Sequence, residues 1–205
     1  MSDRLILAAH PDLADSRVTR TLVGAARALP GVELRDLYDL YPDYLIDVEA
    51  EQAALEPARL VVLLHPLHWW SMPALLKLWI DEVLRFGWAY GAAGQSAALA
   101  GKDLWLVTST GSSAASYAPD GLQRHALDAF LLPYVEMARL CGMRWLPPLV
   151  LHDAHRADAA ALRDHADTFT ARLRDWPAWA SGGAPASAAL ELDDRPASFS
   201  PYDPS

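Results

Sequence analysis

Three short stretches of this 205-residue chain concentrate the side chains suited to binding and catalysis, and each follows an apolar run. The first, residues 10–16, opens on His10-Pro11 and closes on Ser16. A hydroxyl at a helix start, with the free N–H groups of Arg17, Val18 and Thr19 behind it, can cradle an anion such as a phosphate. The same serine serves equally well as a plain helix cap. The second, 66–71, sets Trp69 and Trp70 side by side after Pro66 and Leu67. Indoles and backbone amides there either border a planar heteroaromatic ring or plug a loop as ordinary apolar groups. The third runs Ser109-Thr110-Gly111-Ser112-Ser113 and reaches Tyr117, offering small donors that let a ligand approach the backbone. As structure alone it is a serine-rich turn. Neither GxGxxG nor GxxxxGK[ST] occurs, so neither a Rossmann dinucleotide turn nor a P-loop is present.

The elements that must hold these stretches follow from hydrophobic period. Residues 5–9 read as a buried strand ending at His10-Pro11, and Ser16 opens a helix on which Val18, Leu22, Ala25 and Leu29 recur until Pro30-Gly31 stops it. A second strand is predicted over 32–37, a Tyr/Asp/Pro-rich loop over 38–47, a short helix over 48–55 and the most apolar strand over 60–64. A helix from Pro73 to about residue 86 carries apolar groups on more than one face, which points to a dimer contact. Then come a strand at 104–107, a loop at 109–120 and a helix at 121–141 interrupted by Pro133. Strand 144–151, made an edge or bulged one by Pro147-Pro148, precedes a last helix over 157–176. Five strands alternating with helices imply an α/β three-layer sandwich around a parallel sheet of flavodoxin-like order 2-1-3-4-5. Ligands in such a sheet sit beyond the carboxyl ends of the strands, so the three stretches fall together. A flat, phosphate-bearing ligand in this fold is a flavin.

Composition sets the remaining bounds. Residues 1–180 make one domain, and 181–205, rich in Ala, Ser, Pro and Asp, read as a flexible tail. Against 17 Lys and Arg stand 26 Asp and Glu, a formal net charge of −9 that disfavours nucleic acid as a partner. The single cysteine, Cys141, excludes a disulfide framework and fits a reducing, cytoplasmic compartment. The apolar run near the start is too short for a signal-peptide core, and no stretch reaches the length of a membrane span. Eight tryptophans and seven tyrosines outnumber four phenylalanines, a bias that again favours a flat ligand.

Residues 65–90, HPLHWWSMPALLKLWIDEVLRFGWAY, together with His10-Pro11 leading to Ser16, LYDLYPDYLIDVEAEQ at 37–52 and CGMRWLPP at 141–148, resemble the NAD(P)H:quinone oxidoreductase family of flavodoxin-like DT-diaphorase relatives. The resemblance, covering residues 4–176, is nearest to the ancillary flavoproteins of glutathione-gated potassium efflux antiporters. It implies that His10, Ser16 and Val18 border the flavin phosphate and ribityl chain, and that Pro66, Leu67, Trp69 and Trp70 line the isoalloxazine. Ser109, Thr110, Gly111 and Ser112 occupy the family's Thr-Thr-Gly-Gly turn, with serine replacing its first and last residues. Tyr117 falls at the family's active-site tyrosine, while Gln123 stands where mammalian-type members have a histidine, with His125 two residues on. The implied chemistry is ping-pong two-electron transfer from NAD(P)H through FMN, or FAD, to a quinone, in a homodimer.

Other readings compete. His10, His65 and His68 at neighbouring strand ends raise a metal site, but local carboxylates are limited to Asp12 and Asp15, and no metal is expected. The serines lack a GxSxG elbow for hydrolysis. A regulatory module is the main rival: flavin and nucleotide would set the state of a membrane potassium efflux antiporter, placing the protein at the inner membrane face through that partner. Cys141 reads as a buried helix residue, and Lys77 with Asp81 as a surface ion pair.

Overall fold

The computed structural model describes residues 2–91 and 97–182. Five parallel strands, β1 (Arg4–Ala8), β2 (Val32–Asp36), β3 (Leu60–Pro66), β4 (Asp103–Ser109) and β5 (Arg144–Leu151), pair in the order β2-β1-β3-β4-β5. Among the described residues six α-helices accompany them, five between strands and the last after β5: α1 (Val18–Arg27), α2 (Leu37–Leu40), α3 (Val48–Leu55), α4 (Ala74–Val83), α5 (Leu127–Leu140) and α6 (Ala159–Asp175). This is the expected α/β three-layer sandwich.

Side-chain alternation along the central strands explains the layering. Leu5, Leu7, Val61, Leu63, Leu104 and Leu106 face a core shared with α4 and α5, while Ile6, Ala8, Val62, Leu64, Trp105 and Val107 face one shared with α1 and α6. With both faces covered, the strands read as unbroken apolar runs rather than alternating ones. The register aligns Ala8 with Leu64 and Pro66 with Ser109, so β3 and β4 finish level, two residues beyond the end of β1.

Several boundaries differ from the sequence reading. β4 extends to Asp103 at one end and to Thr108 and Ser109 at the other, all buried polar residues that hydropathy assigns to loops. Asp103 is accommodated because its carboxylate accepts from Arg144 Nε at 2.7 Å, Arg144 Nη2 at 2.6 Å and Trp176 Nε1 at 2.8 Å. Helix α5 begins at Leu127, not residue 121, and runs through Pro133 without a break. Pro133 is exposed, so the carbonyl it leaves unbonded faces water. Helix α4 stops at Val83, because the Leu84 backbone has left the helical region (ψ 62°). A single turn of helix, α2, occupies the start of the expected 38–47 loop. β5 is the edge strand and carries the expected bulge: its pairing with β4 shifts between Trp105 and Val107, where Pro147 and Pro148 together oppose Leu106. A 3-10 turn, Ala178–Gly182, follows α6, and residues 183–205 of the expected tail lie outside the described residues.

One buried carboxylate joins the helices behind β1 and β3. Glu51 on α3 has no solvent exposure. It accepts from Arg35 Nε (2.9 Å) and Nη2 (2.5 Å) on β2, from Trp79 Nε1 (2.8 Å) on α4, and from the Tyr41 hydroxyl. Burial opposes the Arg35 charge, but the Glu51 hydrogen bond and carboxylate outweigh it and hold the guanidinium above its ordinary range. Burial and the same carboxylate push the Tyr41 phenol up to about 12. A buried charge deprived of its partner is costly, so Glu51→Gln is expected to lower unfolding stability by about 3 kcal/mol in urea titrations.

His65 closes β3 inside the core, its ring stacked on Tyr134 with centroids 5.7 Å apart. Its Nδ1 lies 2.9 Å from the Pro66 carbonyl, which can only accept, so Nδ1 carries the proton. Burial pushes its pKa down to about 4. An unfolded chain protonates a histidine near pH ~6.5, so stability falls as pH drops from there toward the native value, by up to about 3 kcal/mol for this group. Urea titrations at neutral and mildly acidic pH should show that loss, and His65→Asn, which keeps a donor to the Pro66 carbonyl, should reduce it.

Candidate functional site

The order in which strands are added to the sheet reverses between β1 and β3, and the loops beyond β1, β3, β4 and β5 converge there. They enclose a cleft of about 330 Å³ lined by His10, Ser16, Val18, Pro66, Leu67, Ser109, Thr110 and Gly111, all anticipated from sequence, together with Asp15, Arg17, Thr19, His68, Ala154 and His155. Its volume lies within the range of small-molecule sites.

At one end the first loop delivers the start of α1. Helical backbone begins at Arg17, and the buried Ser16 hydroxyl accepts from the Thr19 N–H at 3.1 Å, so the serine is a cap. The amides of Arg17 and Val18, one residue into the helix, have no intrahelical acceptor and border the cleft. The Arg17 guanidinium crosses to the carbonyls of His155 (3.3 Å) and Ala157 (2.6 Å), fastening this loop to the one after β5. His10 accepts from the Asp12 N–H at 3.1 Å, and its ring meets that of His68 edge to face at 6.0 Å. Burial lowers the pKa of both imidazoles, and each charge opposes the other at His10. His65 points away into the core, and among the described residues no three His, Cys, Asp or Glu groups gather as metal ligands.

The two tryptophans form the tip of a tight turn. His68 and Ser71 exchange backbone hydrogen bonds of 3.0 and 2.9 Å across Trp69 and Trp70, whose φ angles are +48° and +59°. Left-handed backbone at both central positions is the habit of Asn and Gly, and it costs bulky residues about 1–3 kcal/mol each. Trp69 is 87% exposed and Trp70 46% exposed. Neither indole lines the cleft; they rim it, 5.7 Å apart. The turn is clasped from across the site: Trp70 Nε1 donates to Gln123 Oε1 at 2.7 Å, and Gln123 Nε2 donates to Ser112 Oγ at 3.1 Å. Gln123 therefore holds the second and third stretches together.

The third stretch is stitched to a fourth loop that the sequence reading did not use. Thr110 N–H donates to Leu151 O and Ala154 N–H to Thr110 O, both at 2.9 Å. The Thr110 hydroxyl donates to Ser112 O at 2.8 Å and lies 2.9 Å from His152 Nδ1. Tyr117 packs its ring 5.7 Å from His152 and 5.8 Å from Phe130, outside the cleft lining but beside Thr110. Burial raises the Tyr117 pKa while the Thr110 hydroxyl pulls it down. His152 and His155 were within reach of sequence reasoning, since they follow the fifth strand as the other candidates follow the first, third and fourth.

Comparison with known proteins places this geometry in context. Residues 3–173 match the family model described as having a flavodoxin-like fold. The glutathione-regulated potassium-efflux system ancillary protein KefF of Citrobacter koseri is 42% identical over 172 residues, covering 84% of this chain and 96% of that protein. The crystal structure of general stress protein 14 from Treponema denticola, in complex with FMN, superposes with a TM-score of 0.74 at 35% identity, covering 86% of this chain and 97% of the other. An NADPH-quinone reductase from P. pentosaceus superposes with a TM-score of 0.74 at 29% identity, covering 83% and 96%.

If the clasp holds the strained turn, Gln123→Ala should speed hydrogen exchange at the Trp70 indole N–H, read by NMR with Trp70→Phe for assignment. Global stability should change by no more than about 1 kcal/mol, the worth of a part-exposed neutral hydrogen bond. An unchanged exchange rate would show that the turn stands without it.

Proposed function

The chain belongs to the family with the flavodoxin-like fold, and from that premise we propose that it is a flavin-dependent NAD(P)H:quinone oxidoreductase. The observation that carries this reading is the cleft itself, with helix-start amides at one end, apolar walls from Val18, Pro66 and Leu67, and small donors of the third stretch at the other. Gly111 leaves room there: a Cβ would stand 3.3 Å from Nε2 of the His155 side chain, and a long side chain would project among the residues that line the cleft. The Treponema relative's FMN favours FMN here over FAD.

In this reading His10, Ser16, Val18 and the Arg17 and Val18 amides hold the phosphate and ribityl end. Pro66, Leu67 and the backbone of the Trp69-Trp70 turn border the ring, and Ser109, Thr110, Gly111 and Ser112 face its edge. The flavin, when bound, supplies two-electron redox chemistry between NAD(P)H and a quinone. The chain's own residues position, exclude water and manage protons. His10 and His68, with pKa values lowered by burial, favour the neutral form and keep cationic charge out of the cleft. Tyr117, protonated at neutral pH, offers its phenolic proton to the acceptor oxygen. Leu78 and Ile80 on α4 are only half-buried, which supports a second copy of the chain completing the substrate face.

The similarity to KefF ancillary proteins favours a second reading, in which bound flavin and nucleotide set the state of a membrane potassium-efflux partner. Among the described residues no helix is long and apolar enough to cross a membrane, so the chain would reach that partner from the cytoplasmic side as a peripheral subunit.

The absorption spectrum separates these outcomes. Purified protein should carry flavin, bleach anaerobically with NADH or NADPH, and regain colour with a benzoquinone; Gly111→Leu should fold but lose the flavin. Bound flavin that no nicotinamide bleaches would favour the regulatory subunit, and protein that takes up neither FMN nor FAD would overturn both.

A further inference from the structure

We propose a second binding site, at the end of the sheet opposite the cleft, for a small organic molecule that carries a doubly charged oxyanion, as a phosphate ester or a dicarboxylate does. The site goes beyond the redox reading and does not depend on it.

Because the strands are parallel, their amino ends gather on one side, and there a cavity of about 510 Å³ opens at the starts of β3, β4 and β5. It is larger than the cleft at the carboxyl ends and falls within the range of small-molecule sites. Three cations line it: Arg59, the residue before β3, Lys102, the residue before β4, and Arg144, the first residue of β5. Such a gathering runs against the character of a chain whose formal net charge is −9.

A count of donors shows what these side chains still have to give. Arg144 commits Nε and Nη2 to the Asp103 carboxylate, at 2.7 and 2.6 Å, and keeps Nη1. Lys102 Nζ gives two of its three hydrogens to the Glu56 and Ala58 carbonyls, at 2.8 and 2.5 Å. Those carbonyls bear no formal charge, and burial pulls the ammonium pKa down while the Glu56 carboxylate holds it up. Arg59 lays its guanidinium over the Trp176 indole, 5.5 Å from the ring centroid, which leaves the N–H edge of the group unspent. Among the described residues no carboxylate oxygen lies within 4.0 Å of Arg59 or Lys102 nitrogens.

The support behind these donors is built rather than incidental. Trp176 is buried and donates from Nε1 to Asp103 Oδ2 at 2.8 Å, so the platform under Arg59 is fixed. The Arg59 backbone is fixed as well, its N–H donating to Asp3 O and its carbonyl accepting from the Asp103 N–H, both at 2.8 Å. Of the two carboxylates on the wall, Asp103 is already matched by Arg144, and Glu56 is exposed to water. The Arg59 and Lys102 charges therefore set the ligand's charge at two. Planar guanidinium edges pair with the oxygens of phosphate and carboxylate, while Pro57 and Pro177 offer apolar wall to a carbon body.

The test uses the whole 205-residue chain, 15N-labelled, titrated with ribose 5-phosphate and separately with succinate while KCl holds ionic strength constant. The Trp176 indole N–H, assigned with Trp176→Phe, should shift saturably with a Kd of about 1 mM or tighter for at least one probe. Which probe binds tells phosphate ester from dicarboxylate. Arg59→Gln and Lys102→Gln should each weaken that binding about tenfold or more, and either suffices if the other folds poorly. Arg163→Gln, on α6 and outside the cavity lining, should leave it unchanged. A shift confined to the Trp70 indole would put the probe at the cleft and overturn the site. So would equal binding by the Arg59 and Lys102 variants, a matching response to KCl alone, or no saturable shift with about 20 mM of either probe. None of these readouts uses flavin reduction, so the redox reading stands or falls separately.

Discussion

The Glu51 carboxylate is the constraint on which the active end of the molecule depends. It lies where water cannot reach and must find protein donors for its charge. Those donors come from β2, from the end of α2 and from α4, so one charge fixes three elements against α3. Helix α4 begins four residues after Trp70. Its placement sets where the Trp69-Trp70 turn emerges, and Gln52, the next residue along α3, adds a bond to the Val83 carbonyl at the other end of the helix.

The site built on this frame is mixed in character, with Asp15 and Arg17 bordering the cleft beside its hydroxyls and apolar walls. The Arg17 guanidinium ties two loops together, while burial pushes the His10 and His68 imidazoles toward neutrality. Recognition then falls to helix-start amides, hydroxyls and flat apolar walls. Two bulky residues in left-handed backbone are the conformational cost, and hydrogen bonds across His68, Ser71, Gln123 and Ser112 offset it.

Much of this was legible in the sequence. Buried strands announce themselves as apolar runs, and strand order together with the strand-end rule brought His10, Ser16, Val18, Pro66, Leu67, Ser109, Thr110 and Gly111 to one place. What hydropathy could not show was polar burial. Asp103 looks like a loop residue because its partners, Arg144 and Trp176, are distant in sequence. Pro133 reads as a break because exposure of the freed carbonyl is a tertiary fact. The indoles stand outside the cleft lining and are exposed, because left-handed backbone turns them outward, and that conformation is not written in residue type.

The proline pair in β5 has a consequence for how the molecule meets its neighbours. Two successive residues without N–H donors, with the Pro147 carbonyl already taken by Trp105 Nε1 at 3.2 Å, leave that border of the sheet a poor template for an incoming strand. The opposite border, β2, presents Glu33 and Arg35 and is equally uninviting. Ribbon-like growth from copy to copy is thereby discouraged, and association is steered toward the helical layers.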